Sequence, residues 1–381
     1  MNFNKLRDFL DYYLPMLGVP GSDTVIYKDH EEIFRHSSGF DNIKYRTPIR
    51  QNALYNLYSC TKVATAVAAM QLIENGEILI NDPVGAYFPE YKYLTVEKKI
   101  NGKTEIVEAK KPMLIKHLFS MTSGLDYNLN RPSIKKVYEN TEGKCPTLDV
   151  IRALASDPLI AEPGEHYKYS LSHDVLGGLI ELISGMKLGD YMKKNIFDPL
   201  GMKDTTFDIT RDNYNRLATQ YKYDLATRTP EEIAKDSNQY RFGTEYQSGG
   251  AGLVSTVDDY ILLADALANL GMGKSGERIL SKNTVELMRT GLLPPSAQYE
   301  YEETYHIGFN YCFGVRAMRE PALQGTLIPK GAFGWDGAKL SIITADPENR
   351  IAIFHAEHMG GLHRIVIPRF HNVAYSCLCE D

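Results

Sequence analysis

Residues 60–73 constrain the fold more than any other segment, because nearly every one of them is apolar or small. The segment contains no Gly or Pro, and Asn75-Gly76 follows it as a C-terminal stop, so the pattern predicts a helix that is apolar around most of its circumference. Such a helix is normally buried. It nevertheless contains Lys62, and a buried amino group has a desolvation cost that packing alone does not offset.

Ser59 lies three residues before Lys62, and this spacing indicates a chemical role for the lysine. Residues at i and i+3 share one face of a helix and lie about 5–6 Å apart. Burial disfavours the charged form of a lysine, so its pKa falls and its amine can take the proton of a serine hydroxyl. The helix N-terminus would also stabilise an oxyanion that develops beside Ser59. The pair predicts a serine nucleophile with a lysine base; the alternative is a lysine that snorkels from a half-exposed helix.

The same Ser-x-x-Lys pattern occurs twice more, at residues 133–136 and 184–187. Ser133 follows a proline in a charged segment, which predicts a solvated lysine. Ser184 precedes Gly185 at a predicted helix end, which places its lysine in a loop. Of the three serines, Ser59 alone opens a long apolar helix, so it is the candidate nucleophile.

Two other segments carry weaker signals. Tyr169 lies just before a predicted helix within residues 163–185, and a buried tyrosine near a cationic lysine can become a phenolate or relay a proton. Alone, it is one of 25 tyrosines and would indicate core packing. Residues 334–338, with the sequence GWDGA, begin a predicted strand, and a glycine in a strand indicates that another group approaches the backbone closely.

Predicted strands lie near both ends of the chain, and predicted helices fill the middle. Residues 18–41 alternate and break like two strands joined by a turn near Asp29-His30, and strand-like segments return from about residue 311. A last helix is predicted over residues 364–378. The pattern indicates an α+β fold, in which one antiparallel sheet is built from both termini, is flanked by helices and accepts an inserted helical region.

Charge and hydropathy exclude several classes of protein. The net charge of -6 implies no basic surface for nucleic acid. No stretch approaches 18 apolar residues, so no membrane span is expected. Charges at Lys5, Arg7, Asp8 and Asp11 interrupt any apolar core that a signal peptide would need, and we therefore expect a cytoplasmic protein.

Metal, disulfide and other hydrolase motifs are missing or weak. The five cysteines are odd in number and scattered, which is not typical of a disulfide framework, and Cys377 and Cys379 are expected in a loose tail rather than a metal site. GxSxG and HExxH are absent. His355 and His358 lie three apart on a predicted strand and point to opposite faces. We expect no metal.

Three motifs in order, with the text between them, resemble the serine β-lactamase and penicillin-binding-protein superfamily. They are Ser59-Cys60-Thr61-Lys62, Tyr169-Ser170-Leu171 and Trp335-Asp336-Gly337. The likeness covers roughly residues 15–370, and the nearest branch looks like the class C β-lactamase-like esterases and D-amino-acid peptidases. It implies an α/β sandwich domain (1–58 and 250–381) and a mostly helical domain (59–249), with the nucleophile helix at their junction.

The resemblance also implies a mechanism without a metal or an organic cofactor. Ser59 would attack a carbonyl and form an acyl-enzyme, which water then releases. Lys62 and Tyr169 would share the proton transfers. The backbone N–H groups of Ser59 and Ala338 would form the oxyanion hole. The substrate would be a small ester or amide, and the resemblance says nothing about the oligomeric state.

Departures from the family pattern fall on the residues expected to bind substrate: Leu171, Trp335, Asp336 and Gly337. Leu171 replaces an asparagine that bonds the amide side chain of β-lactams, and Trp335 and Asp336 replace the lysine and threonine that meet their carboxylate. An ionised Asp336 facing the pocket would repel that carboxylate. We therefore expect an esterase or amidase for small acyl groups and a poor β-lactamase.

Three alternatives remain open at this point. Asp336 could hold a substrate ammonium group, as in a D-aminopeptidase or D-amino-acid amidase. The chain could be a true β-lactamase. It could also be a non-catalytic sensor whose serine is acylated without turnover. Residues 95–112 are consistent with a hairpin, and the sequence does not say whether it covers the site.

Overall fold

The largest element of the fold is an eight-stranded antiparallel sheet, with the order β10-β11-β12-β13-β14-β1-β2-β3. The computed structural model describes residues 1–378, apart from the side chain of Tyr305. The strands are β1 Gly21–Lys28, β2 Glu31–Asn42, β3 Thr47–Pro48, β4 Tyr55–Asn56, β5 Thr95–Ile100, β6 Lys103–Glu108, β7 Gln220–Asp224, β8 Thr229–Ile233, β9 Val254–Ser255, β10 Phe309–Tyr311, β11 Arg316–Met318, β12 Phe333–Asp336, β13 Ser341–Asp346, β14 Ile351–Ala356 and β15 Met359–Gly360.

The α-helices are concentrated between the two groups of sheet strands. They are α1 Asn4–Asp8, α2 Leu14–Met16, α3 Thr61–Glu74, α4 Ile115–Phe119, α5 Pro132–Asn140, α6 Thr147–Leu154, α7 Ser172–Ser184, α8 Leu188–Met192, α9 Asp198–Leu200, α10 Arg211–Tyr214, α11 Val257–Ala268, α12 Lys282–Met288, α13 Pro295–Tyr301, α14 Pro321–Gln324 and α15 His363–Leu378. Turns of π-helix occupy Phe9–Tyr13, Lys193–Phe197 and Glu302–His306, and 3₁₀ turns occupy Tyr58–Cys60, Val84–Ala86 and Pro89–Lys92.

The two ends of the chain meet in the middle of the sheet, which confirms the fold expected from the sequence. Strands β1 and β2 form a hairpin whose two turn residues, Asp29 and His30, both have positive φ (53° and 70°), as a tight hairpin turn of the primed type requires. On its other side β1 pairs with β14, so the N-terminal hairpin extends the C-terminal strands.

Helices cover both faces of this sheet. Side chains alternate along a strand, so neighbouring residues point to opposite faces. On β14, Phe354 contacts Tyr260 of α11 on one face, whereas His355 contacts Phe370 of α15 on the other. Helix α11 begins after Thr256, whose hydroxyl accepts a hydrogen bond from the Asp259 N–H as its N-cap.

Helix α3 is the buried helix that the sequence predicts, and it packs against α7 and α8 of the helical region and against β12 of the sheet. Eleven of its 14 residues are buried. Asn75 caps it, and Gly76 leaves it with a φ of 72°. The helix therefore lies where the sheet and the helical region meet, although the domain boundaries given above stay a prediction.

Short strands and the C-terminal residues modify the picture from sequence. The helical stretch also contains the β5–β6 hairpin and the small β15-β7-β8 sheet. Cys377 is buried in α15 rather than in a loose tail, and Cys379 lies outside the described residues. No helix in the described part of the chain is both long enough and apolar enough to cross a bilayer.

Candidate active site

Ser59 lies in a tight turn that is held under backbone strain. The preceding residue, Tyr58, has a φ of 46°, in the left-handed region that a residue with a Cβ rarely adopts. The Tyr58 hydroxyl lies 2.6 Å from Gln220 Oε1 and 2.8 Å from the Ser237 carbonyl oxygen, which fixes the ring. A 3₁₀ turn then carries Ser59 into α3. Strain of this kind persists only when surrounding contacts enforce it, and it is common at reactive residues.

Lys62 is fully buried and donates to three oxygen atoms. Its Nζ lies 3.2 Å from Ser59 Oγ, 2.9 Å from the Tyr127 hydroxyl and 2.7 Å from the Gly250 carbonyl oxygen. Burial lowers the pKa of Lys62 to about 7, against the opposing attraction of the Asp174 carboxylate. At neutral pH much of the amine is therefore unprotonated and within reach of the serine proton.

Tyr169 lies on the other side of the serine, and its hydroxyl accepts a hydrogen bond of 2.9 Å from Trp335 Nε1. Lys62 Nζ lies 4.6 Å from the centroid of the Tyr169 ring. Burial raises the pKa of Tyr169 well above its ordinary value, although hydrogen bonding with Ser59 and Trp335 lowers it in part. Tyr169 is therefore a neutral phenol, which suits a proton relay and does not suit the phenolate considered from the sequence.

Tyr127 is a functional candidate that sequence reasoning missed. It accepts a hydrogen bond from Lys62, and its ring packs edge-on against Tyr169 with the centroids 5.4 Å apart. Burial raises its pKa well above the ordinary value, so it too is a neutral phenol. Tyr127 is 65 positions from Lys62 and belongs to no motif with fixed spacing. The sequence therefore carried no signal that separates it from the other tyrosines.

Asp174 supplies the buried negative charge behind Lys62. The Tyr246 hydroxyl and the Ser248 hydroxyl donate to its Oδ1 at 2.9 and 2.6 Å. Burial raises the pKa of Asp174, while these hydrogen bonds and Lys62 lower it. Its effect on Lys62 is to keep the pKa of the amine from falling further.

Ser59 and Ala338 line one cavity, and the oxyanion hole that their backbone N–H groups would form stays a prediction. Strand β12, which Ala338 follows, packs against the turn that carries Ser59. Gly337 allows this approach, because a Cβ there would clash with the Leu57 carbonyl oxygen and with Ser341 Oγ. Gly337 therefore contributes by close packing rather than by lining the pocket.

The serine opens into a cavity of about 730 Å³ whose walls are largely aromatic. Its aromatic lining includes Tyr127, Tyr167, Tyr169, Tyr240 and Trp335. Trp335 and Asp336 line the cavity as expected, whereas Leu171 is only 2% exposed and lies in the core behind it.

None of residues 95–112, all of which are described, lines the cavity. Residues 95–108 do form the expected hairpin, which Lys98 ties to Glu162.

The structure changes the interpretation of Asp336. Its carboxylate is buried and forms an ion pair with the buried Arg316 guanidinium. Burial alone would raise the pKa of Asp336, but Arg316 holds that pKa below its ordinary value. The charge of Asp336 is thereby compensated within the protein. The ion pair argues against a direct charge interaction of Asp336 with a substrate carboxylate or ammonium group, and the role of Asp336 in substrate binding stays a prediction.

Two histidines that the sequence brings close together, His355 and His358, have structural roles. Among the described residues, no group of three or more His, Cys, Asp or Glu side chains could hold a metal ion. His355 lies between Thr24 and Glu357, 2.7 Å and 3.1 Å from them, and His358 lies 3.0 Å from the Thr219 carbonyl oxygen. Both rings therefore have structural partners.

An antiparallel sheet from both termini, an inserted helical region and a serine beside a buried lysine at their junction define the class of serine enzymes that form acyl intermediates. The chain belongs to the β-lactamase family, whose family model matches residues 6–356.

Relatives within this family include enzymes of more than one kind. Esterase EstB of Burkholderia gladioli is 26% identical over 357 residues, which is 87% of this chain and 84% of the relative. Acyltransferase calJ of Penicillium decumbens is 28% identical over 356 residues, 85% of this chain and 80% of the relative. Among solved structures, EstCE1, described as a hydrolase with promiscuous acyltransferase activity, matches with a TM-score of 0.78 and 25% identity, over 99% of this chain and 98% of that one.

The low pKa of Lys62 generates a prediction about pH. If the neutral amine is the base, kcat/KM for p-nitrophenyl acetate rises as pH increases through about 7 and is then level, because the fraction of neutral Lys62 falls about tenfold per pH unit below its pKa. The measurement is a profile from about pH 5.5 to 9, with buffer hydrolysis subtracted. A wild-type profile without this limb would contradict the assignment.

Tyr127→Phe tests the hydrogen bond to Lys62. The hydroxyl stabilises the ammonium form, so its loss should lower the pKa of Lys62 and move the limb to lower pH by roughly one unit, the size expected for a hydrogen bond to a charged group. Tyr240→Phe removes a hydroxyl from the same cavity that is not bonded to Lys62, and it should leave the limb in place. Equal shifts in both variants would contradict the role of Tyr127.

Asp336→Asn tests the buried ion pair. The change keeps the shape of the side chain but leaves the buried Arg316 guanidinium without its carboxylate, which should lower the free energy of unfolding by about 3–5 kcal/mol. Asp198→Asn, in an exposed pair with Lys193, should change it by less than about 1 kcal/mol. Urea unfolding of the three proteins measures both effects, and equal losses would show that the buried pair has no special weight.

Proposed function

We propose that the chain is a serine esterase or amidase that forms an acyl-enzyme on Ser59, with Lys62 as the base. The observation that carries the proposal is the 3.2 Å separation between Lys62 Nζ and Ser59 Oγ in a setting that lowers the pKa of the lysine to about 7. A serine hydroxyl becomes a useful nucleophile when an adjacent base can take its proton.

The proposed reaction has two balanced steps. In the first, Lys62 takes the Ser59 proton, Ser59 Oγ bonds to the acyl carbon, and the bond from that carbon to the leaving oxygen or nitrogen breaks. The proton passes to the leaving group through the Tyr169 hydroxyl. In the second, water attacks the acyl carbon, loses a proton to Lys62 and releases the carboxylic acid, while the proton returns to Ser59. The N–H groups of Ser59 and Ala338 receive the negative charge that develops in each step.

Transfer of the acyl group to an alcohol is a second candidate activity. It needs the same acyl-enzyme, with an alcohol in place of water in the second step. The wide aromatic cavity supports it, because a space of about 730 Å³ accommodates an acyl group and a second organic molecule together. The relatives calJ and EstCE1 carry acyltransferase activity in their descriptions, which supports the same candidate.

The other activities considered from the sequence are less well supported. A D-aminopeptidase was suggested by a free Asp336 carboxylate, which is paired with Arg316 instead. The D-amino-acid amidase among the similar structures is 19% identical and indicates the fold alone. A β-lactamase would need donors for a carboxylate on strand β12, where Trp335 stands. A sensor would accumulate its acyl adduct, whereas a hydrolase turns it over.

Hydrolysis of p-nitrophenyl esters from acetate to octanoate tests the proposal. The wild type should turn over, and Ser59→Ala should lose about 10³-fold or more of kcat, because the acyl-enzyme can no longer form. Ser184→Ala is the matched control, since Ser184 heads another Ser-x-x-Lys pattern but bonds only the end of its own helix.

The time course separates the remaining outcomes. Intact-protein mass spectrometry that finds a stable acyl adduct on the wild type without turnover would favour the sensor. Equal activity of the wild type and Ser59→Ala would overturn the assignment of the nucleophile. Addition of butan-1-ol with detection of the butyl ester measures the transfer reaction.

A further inference from the structure

A second and smaller cavity, of about 110 Å³, lies beside the catalytic cavity. Three side chains line both spaces, namely His306, His363 and Arg364, so the two cavities meet at this edge. Helix α15 forms one wall of the smaller cavity with residues spaced four apart. The apolar lining consists of Phe309, Ile328, Ile367 and Pro368.

Tyr169, the proposed proton relay, is the first of a line of rings that extends toward this cavity. Trp335 donates to the Tyr169 hydroxyl, and the two rings are stacked with centroids 5.8 Å apart. The His306 ring in turn stacks on Trp335, with the two ring centroids 5.7 Å apart. Because the leaving group takes its proton from Tyr169, this line of rings runs from the leaving group toward the second cavity.

Apart from Arg364, which lies at the edge that the two cavities share, the lining carries little net charge. Burial lowers the pKa of His306 and of His371, which also lines the cavity, to about 3, so both rings are uncharged at neutral pH. Arg316 is paired with Asp336. No carboxylate is among the described residues that line this cavity, so nothing there would compensate a substrate ammonium group.

We propose that the smaller cavity binds a short neutral alkyl arm of the leaving alcohol. This inference rests on the proposed function, because it needs an ester whose alcohol departs at Tyr169. An apolar cavity of about 150 Å³ holds benzene, so a space of 110 Å³ corresponds to roughly four carbon atoms. The preferred substrates are therefore esters of short aliphatic alcohols.

A series of alkyl acetates from methyl to hexyl tests the proposal, with acetic acid release measured by pH-stat. In the wild type kcat/KM should rise about fourfold for each methylene buried and then become level once the cavity is filled. Ile367→Phe fills the cavity and should abolish this rise while leaving methyl acetate within about twofold. Ile328→Ala enlarges it and should extend the rise to longer chains. Val373→Phe introduces the same side chain into α15 outside the cavity and should leave the profile unchanged.

Three results would overturn the proposal while the proposed function stands. One is an identical chain-length profile in the wild type and Ile367→Phe. Another is an effect of that variant on the acyl series, p-nitrophenyl acetate to hexanoate, instead of the alkyl series. The third is a preference for 3-carboxypropyl acetate over butyl acetate, which would mean that the smaller cavity binds an anionic group near Arg364.

A measurement independent of turnover covers the case in which no ester is hydrolysed, which would count against the proposed function itself. Crystals of the wild-type protein under xenon pressure should show xenon between Phe309, Ile328 and Ile367, because xenon enters accessible apolar cavities. Crystals of Ile367→Phe should not. The absence of xenon from the wild type would overturn the alkyl site.

Discussion

The desolvation of Lys62 is the constraint on which the site depends. An ammonium group has three N–H donors, and three oxygens accept them: Ser59 Oγ, the Tyr127 hydroxyl and the Gly250 carbonyl. This arrangement makes the charged lysine tolerable in the core, while burial keeps its pKa near 7. When one proton leaves, the nitrogen lone pair can accept a hydrogen bond from the Ser59 hydroxyl, as the proposed roles of nucleophile and base require.

The sheet bears on the candidate site because strand β12 packs against the turn that carries Ser59. Ala338 follows strand β12, which is held by β13, and β13 pairs with β14, the neighbour of the N-terminal hairpin. Ser341 donates a hydrogen bond of 3.1 Å to the Leu57 carbonyl, and Gly337 leaves room for that contact. The turn before α3, near the start of the chain, and strands near its end thus meet at the candidate site.

Local pattern was enough to predict the fold and part of the site. The apolar run of α3 and the turn at Asp29-His30 are features of neighbouring residues, and the structure confirms them. The placement of Ser59 beside Lys62 follows from helical spacing. The resemblance to a family added the second and third motifs, which periodicity alone could not connect to the first.

Contacts between distant segments were beyond such reasoning. Tyr127 and Gly250 reach Lys62 from separations of 65 and 188 residues, and Arg316 reaches Asp336 across a sheet whose register the sequence does not show. The interpretation of Asp336 changed for the same reason, because its contact with Arg316 joins distant segments. A carboxylate in a sequence motif appears free until its partner is known. Here the partner is the Arg316 guanidinium, which compensates the charge of Asp336 within the protein.

Trp335 gives the cavity a different surface from the one that the family pattern predicts. The family pattern has a lysine at this position, and a second ammonium beside Lys62 would lower the pKa of Lys62 further. An indole adds no charge, donates one hydrogen bond to Tyr169 and presents a broad apolar face to the cavity. Because Arg316 compensates the charge of Asp336, we expect the site to recognise its ligand mainly through shape and apolar contact. An ester with aliphatic arms suits such a site better than a carboxylate-bearing antibiotic, because a buried charge without a partner is costly.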